Sequence, residues 1–184
     1  PEFIADAKAN PGKLRYGTNG VGGALHIAVE MLKLKTGIDI IHVPYRGGEQ
    51  VATDAMAGQI DMASLGLSTA RMAEGGRLRV LAQTGRERHP LFPDVPTTAE
   101  YDLPDVRMDT WFGLVAPPKT PAAIVARLDR AAAALEQQPS FRDALEKIGC
   151  APAYLPHDQF AAYIAADLKK WRDLIPALGI PQIE

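Results

Sequence analysis

Cysteine, basic clusters and long apolar runs are all scarce in this chain, and each scarcity removes a class of function. Cys150 is the single cysteine, so no internal disulfide can form. Twenty Lys and Arg residues stand against twenty-two Asp and Glu, giving a formal net charge of -2 and a pI near 6.1 with no basic stripe. The electrostatic footprint of nucleic-acid binding is therefore missing, and any bound anion must be held by local groups. The longest apolar runs, such as residues 38–43, fall far below the roughly 18 residues of a membrane span. His26, His42, His89 and His157 show no pair at metal-ligand spacing, so no metal or other cofactor is expected and each reads as structural. Numbering opens at Pro1 with no Met and no charged-then-apolar leader, which implies an N-terminus that is processed or truncated.

What is present is ordinary globular composition, 47% hydrophobic and 23% charged, enough for one full core and further helices. A helix is expected over 3–9, then a turn at Asn10, Pro11 and Gly12, then a strand over 14–17. Leu25, Ala28, Val29 and Leu32 recur at helical spacing, and Gly37 stands where that helix would stop. Further strands are expected over 38–43, 60–65 and 78–84, with a helix ending near Gly58 and a short one capped by Ser68. Strands alternating with helices predict a mostly parallel sheet covered on both faces.

The second half reads differently. Residues 89–104 carry four prolines, and Thr97 and Glu100 have the spacing of a capping box. One strand is expected at 111–115, followed by helices opened by Thr120 and Pro121, by Pro139, and over about 157–178. The last carries Phe160, Ile164, Leu168, Trp171 and Ile175 on one face, a stripe that calls for cover.

Three loops could carry chemistry. Thr18, Asn19, Gly20, Val21, Gly22 and Gly23 lie between a strand and a helix, where glycines open backbone N–H groups and the helix presents its positive end. The spacing fits neither the dinucleotide fingerprint nor the P-loop, because Leu25 and Gly23 occupy the decisive positions. A carboxylate suits such a site, since two or three N–H donors suffice; a glycine turn used only for packing is the other reading. Tyr45 and Arg46, after the second strand, can face the same crevice, or can cover the sheet edge and sit in water. Gly66, Leu67 and Ser68 resemble a nucleophile elbow, but alanine replaces the last glycine and no His and acid follow in order, so Ser68 reads as a helix cap.

Taken in order, Asn10 to Leu14 with Tyr16 to Gly22, His42 to Gly47, Gly58 to Asp61, Gly76 to Arg79, Pro93 to Thr97 and Trp111 to Leu114 resemble the Bug receptors of tripartite tricarboxylate transporters. That resemblance covers nearly the whole chain. It implies a type II periplasmic-binding-protein-like α/β architecture of two lobes closing over a small carboxylate. Residues 1–106 would be the complete second lobe, and 107–184 the crossover strand and C-terminal helices of the first, whose N-terminal part precedes the residues present. It also implies a periplasmic, non-enzymatic receptor with membrane transporter subunits as partners. Thr18, Asn19, Gly20, Gly22 and Gly23 would form the ligand loop, with Tyr45 and Arg46 beside it. Many relatives carry an aspartate shortly after the third strand, where Ser64, Leu65, Gly66 and Leu67 stand here, which argues against an amino-acid ligand. A serine hydrolase using Ser68, or the effector-sensing domain of a transcription regulator, would be the alternatives. The apolar stripe and an unpaired strand at 111–115 further predict self-association.

Overall fold

Tyr16 and Gly17 are neighbours in the first strand, and because successive strand residues face opposite sides, they anchor two different packing layers. The computed structural model describes residues 1–70, 72 and 75–180. They divide between two compact units, one containing Pro1–Thr110 and the other Trp111–Gly179.

In the first unit, β1 (Arg15–Thr18) lies between β2 (Ile41–Pro44) and β3 (Met62–Ala63), and both pairings are parallel. On one face Tyr16 packs with Ala7 of α1 (Glu2–Ala9), Val29 of α2 (Ala24–Thr36), Ile38 and Ile40. Each fully buried aliphatic side chain there contributes about 1.5–3 kcal/mol. On the other face Gly17 admits α3 (Gly48–Met56): a Cβ at Gly17 would lie 2.5 Å from Ile60 Cδ1 and 2.8 Å from Val51 Cγ1. Glycine is required here by close approach of the helix layer. Gly37 ends α2 in the left-handed conformation, with φ 69°, as its position after the helical pattern predicts.

Several expected strands are shorter or absent. The strand expected over 60–65 is reduced to Met62–Ala63. No strand forms over 78–84; a single parallel bridge joins Gln83 to Thr97. At that bridge the Gln83 N–H donates to the Pro96 carbonyl and its carbonyl accepts from the Thr98 N–H, while its side chain donates to the carbonyls of Phe92 and Val95 and accepts from the His89 N–H. The segment thus holds the proline-rich loop at one residue and not along a ladder. The Thr97 and Glu100 pair forms half of a capping box, the carboxylate accepting the Thr97 N–H at 2.9 Å before a 3-10 turn at Ala99–Tyr101. Ser68 falls inside α4 (Leu67–Ala70) and not at its cap.

The second unit contains α5 (Ala122–Glu136), α6 (Pro139–Lys147) and α7 (His157–Leu174), the last continued by a 3-10 turn at Ile175–Leu178. Residues 111–115 make no strand pairing among the described residues. Trp111 instead packs edge-on against Phe160 and Tyr163 of α7, and its Nε1–H donates to Asp167 at 3.0 Å. Gly113 lies so close to Phe160 that a Cβ would collide with the ring.

Candidate functional site

The carboxyl ends of all three strands open on one edge of the sheet. The Tyr45 N–H donates to the Thr18 carbonyl at 2.9 Å, and the Ser64 N–H donates to the Gly17 carbonyl at 3.0 Å. The loops after β1, β2 and β3 therefore start side by side, the place where open parallel sheets bind ligands.

The loop after β1 is shaped by glycine. Gly20 has φ 130° and Gly22 φ 75°, both in the region that side chains disfavour. No described atom lies within 4 Å of where a Cβ would stand at Gly20, Gly22 or Gly23, so their outer side is open. Gly23 is the N-cap of α2, and no side chain caps that end. The N–H groups of Ala24, Leu25 and His26 in the first turn have no carbonyl four residues back within the helix. Together with the helix dipole they form a positive surface beneath the glycine loop. α3 begins in the same manner, with Gly47 as an N-cap and no side-chain cap.

The predicted site residues divide into two kinds. Asn19 and Gly23 are exposed beside Gly20, and Arg46 is exposed on the neighbouring loop with no hydrogen bond or ion pair among the described residues. Thr18, by contrast, is fully buried; its hydroxyl donates to the Gly20 carbonyl at 2.8 Å and lies 2.7 Å from His42 Nε2. The Gly22 N–H also turns inward, onto His26 Nδ1 at 3.0 Å. Tyr45 is half-buried, and its hydroxyl donates to Asp54 of α3 at 2.9 Å. Burial, reinforced by that carboxylate, pushes the Tyr45 phenol up, so it stays protonated. Ser68 Oγ has neither an imidazole nor a carboxylate partner among the described residues, and no group of three or more metal-type side chains is gathered among them.

Beneath the loop lies a cluster that sequence spacing does not reveal. His26 and His42 stack with ring centroids 4.0 Å apart, and Tyr16 stacks on His42 at 4.8 Å. The Tyr16 hydroxyl donates to Glu30 at 2.5 Å, and Lys33 reaches the same carboxylate oxygen at 2.8 Å. Burial lowers the His42 pKa to about 4, helped by the neighbouring His26, and burial likewise lowers that of His26. Tyr16 is pushed up, first by burial and then by Glu30. The signal that could have found this cluster is the parallel register, which sets Tyr16 directly opposite His42.

A Cupriavidus necator protein, the UPF0065 protein in the gbd 5'region, is 36% identical over 183 residues, covering 100% of this chain and 56% of its own length. This chain thus spans about half the length of the curated relatives it matches. A solved structure described as a periplasmic transporter superposes with a TM-score of 0.82 at 34% identity, over 97% of this chain and 60% of that one. The R. palustris protein Rpa4515, solved with adipate, gives a TM-score of 0.81 at 29% identity, over 99% of this chain and 61% of its own. The α/β architecture is accordingly that of the periplasmic binding proteins. Residues 1–180 match the tripartite tricarboxylate transporter family receptor, TctC, and the chain belongs to that family.

Proposed function

We propose that this chain is the ligand-holding part of a periplasmic receptor that captures a small organic carboxylate and delivers it to the membrane subunits of a tripartite transporter, without altering it. The observation that carries this reading is the uncapped first turn of α2 under an open glycine loop, in a chain similar to a protein solved with adipate. Hydrogen bonds to a charged group contribute roughly 1.5–3 kcal/mol each, so the N–H groups near Gly23, Ala24 and Leu25 would suffice for a micromolar site.

The division of labour follows from the contacts. Asn19, Gly20 and Gly23 would face the carboxylate, while Thr18 and Gly22 hold the loop's shape through inward hydrogen bonds. Tyr45 would form a wall, and exposed Arg46 would add attraction at longer range. Residues 1–106 would serve as the second lobe and 107–184 as the C-terminal part of the first. The other wall of the cleft would come from the length that relatives have beyond the match.

Gly23 offers the cleanest test, because its φ of -77° and ψ of 166° suit any residue. Calorimetric titration of adipate into Gly23→Val should show binding reduced at least about tenfold, because the new side chain blocks donors without straining the backbone, while the poorer N-cap should cost no more than about 1 kcal/mol of stability. Normal adipate binding by Gly23→Val would place the site elsewhere. Binding should also weaken below about pH 4, where a carboxylic ligand takes up its proton.

A further inference from the structure

We infer that His26 and His42 are positioning residues for the anion loop, holding Gly22 and Thr18 from beneath and thereby setting the direction of the amides left free for ligand. The inference rests on the carboxylate reading of that loop. Its argument is one of proton bookkeeping at four atoms.

His26 Nδ1 receives the Gly22 N–H at 3.0 Å, so Nδ1 must be bare. A neutral His26 then carries its proton on Nε2, which lies 3.7 Å from Glu30 Oε1. The Thr18 hydroxyl spends its one proton on the Gly20 carbonyl at 2.8 Å, so toward His42 it can only accept. His42 Nε2, 2.7 Å away, must therefore be the donor, and its Nδ1 is bare in the neutral ring. Both tautomers are dictated by the loop above them. The stack of the two rings at 4.0 Å and 16° fixes their planes, and Tyr16 backs His42.

Without these two contacts, Gly22 N–H would be free to swing outward and Thr18 could release Gly20. Two glycines with positive φ supply no rigidity of their own. The loop's precision is thus borrowed from the imidazoles, which bridge it to β2 and to the body of α2.

The charged groups around the cluster decide its response to acid. Glu30 and Lys33 face it from α2, Tyr16 from β1, and each ring faces the other. Glu30 favours protonation, whereas burial, Lys33 and the second imidazole oppose it. Proton uptake at His26 Nδ1 would set N–H against the Gly22 N–H and break that contact. His42 could take a proton on Nδ1 and still donate to Thr18, so His26 is the acid-sensitive member.

Nitrogen-15 NMR of this chain, with His26→Phe and His26→Asn, tests the inference. At neutral pH the native protein should show a bare His26 Nδ1, a protonated His42 Nε2 and a Gly22 amide slow to exchange with solvent. His26→Phe keeps a ring on His42 but removes the acceptor; Gly22 exchange should accelerate, and adipate affinity should fall about fivefold to tenfold for one lost hydrogen bond. His26→Asn, which returns an oxygen near the Nδ1 position, should recover most of both. Gly22 protection unchanged in His26→Phe, or a proton found on His26 Nδ1 at neutral pH, overturns the inference. Should His26→Phe fail to fold, the tautomers of the native protein and the exchange rate of Gly22 in His26→Asn decide it alone. If native protein does not bind adipate at all, the carboxylate reading fails while the tautomer and exchange results still stand or fall separately.

Discussion

The two units of this chain differ in what they do with their apolar residues. In the first, Tyr16, Ile40, Val51 and Val106 are buried around a parallel sheet. In the second, Leu178 alone is buried among the described residues, while Phe112, Leu114 and Val115 stand more than four-fifths exposed. The three helices of the second unit form because Pro121, Pro139 and Pro156 stand at their starts and their apolar residues repeat at helical spacing. A helical pattern can thus be locally satisfied without a core. A sheet cannot, because each strand exists only through its neighbours.

The largest effect expected from this contrast comes at Tyr16. Tyr16→Ala removes a fully buried ring with its bond to Glu30 and should cost about 3–5 kcal/mol, read by urea unfolding with circular dichroism. Leu168, 60% exposed on α7, should give less than about 0.5 kcal/mol when truncated to Ala. Equal costs for the two would erase the distinction between the units. Both tryptophans, Trp111 and Trp171, lie in the second unit, so their fluorescence follows it separately from the sheet.

Gly17→Ala comes next. Its Cβ would press on Ile60 and fully buried Val51, and overpacking of this kind costs about 1–3 kcal/mol. A melting temperature unchanged by this substitution would mean that the α3 layer is looser than its contacts indicate.

Acid should then separate the units in sequence. Burial lowers the pKa of both His26 and His42, the latter to about 4, while the unfolded chain binds protons from about pH 6.5 down, so the first unit loses stability as the pH falls below 6.5. In the second unit, Asp129 is held below its usual 3.8, chiefly by a hydrogen bond with His157, and its contribution is lost only in stronger acid. Melting curves followed by circular dichroism and by tryptophan fluorescence between pH 7 and 3 should show the first unit weakening earlier. Simultaneous weakening, or none above pH 4, would remove the histidine cluster as its cause.

The smallest effect on folding, though visible in solution behaviour, is expected from Phe112→Ser with Val115→Ser. Their exposed apolar surface favours association with other copies of the chain, while unfolding should shift by no more than about 0.5 kcal/mol. Light scattering should show concentration-dependent mass for the native chain and less of it for the double variant. A monomer at every concentration would show that this face is tolerated in water.

The features legible from sequence were those with short-range causes. Gly37 ends its helix because only glycine takes that φ cheaply, and Pro139 starts one because its missing N–H costs nothing there. The glycine turn between β1 and α2 was likewise visible, since Gly20 and Gly22 take positive φ. What stayed hidden depended on partners distant in sequence. Residues 78–84 can form a strand only beside a neighbour, and Gln83 instead binds the loop from His89 to Thr98 through its backbone and side chain. The four histidines read as scattered, although strand register and the inward face of α2 bring two of them together under Thr18 and Gly22. Thr18 and Gly22 were thereby assigned to the ligand's side of the loop when their polar groups face the protein.

In the proposed carboxylate site, the uncapped helix end at Gly23 sets heat resistance against ligand capture, whereas the uncapped end at Gly47 does not. Serine or aspartate at either N-cap would satisfy a first-turn N–H and stabilise its helix by a few tenths of a kcal/mol. At Gly23 the same side chain would occupy the donor that a carboxylate needs, acting as a built-in competitor at infinite effective supply. If the proposed site holds, a search for thermostable variants of this chain should enrich caps at Gly47 freely, and caps at Gly23 only where carboxylate binding is not selected.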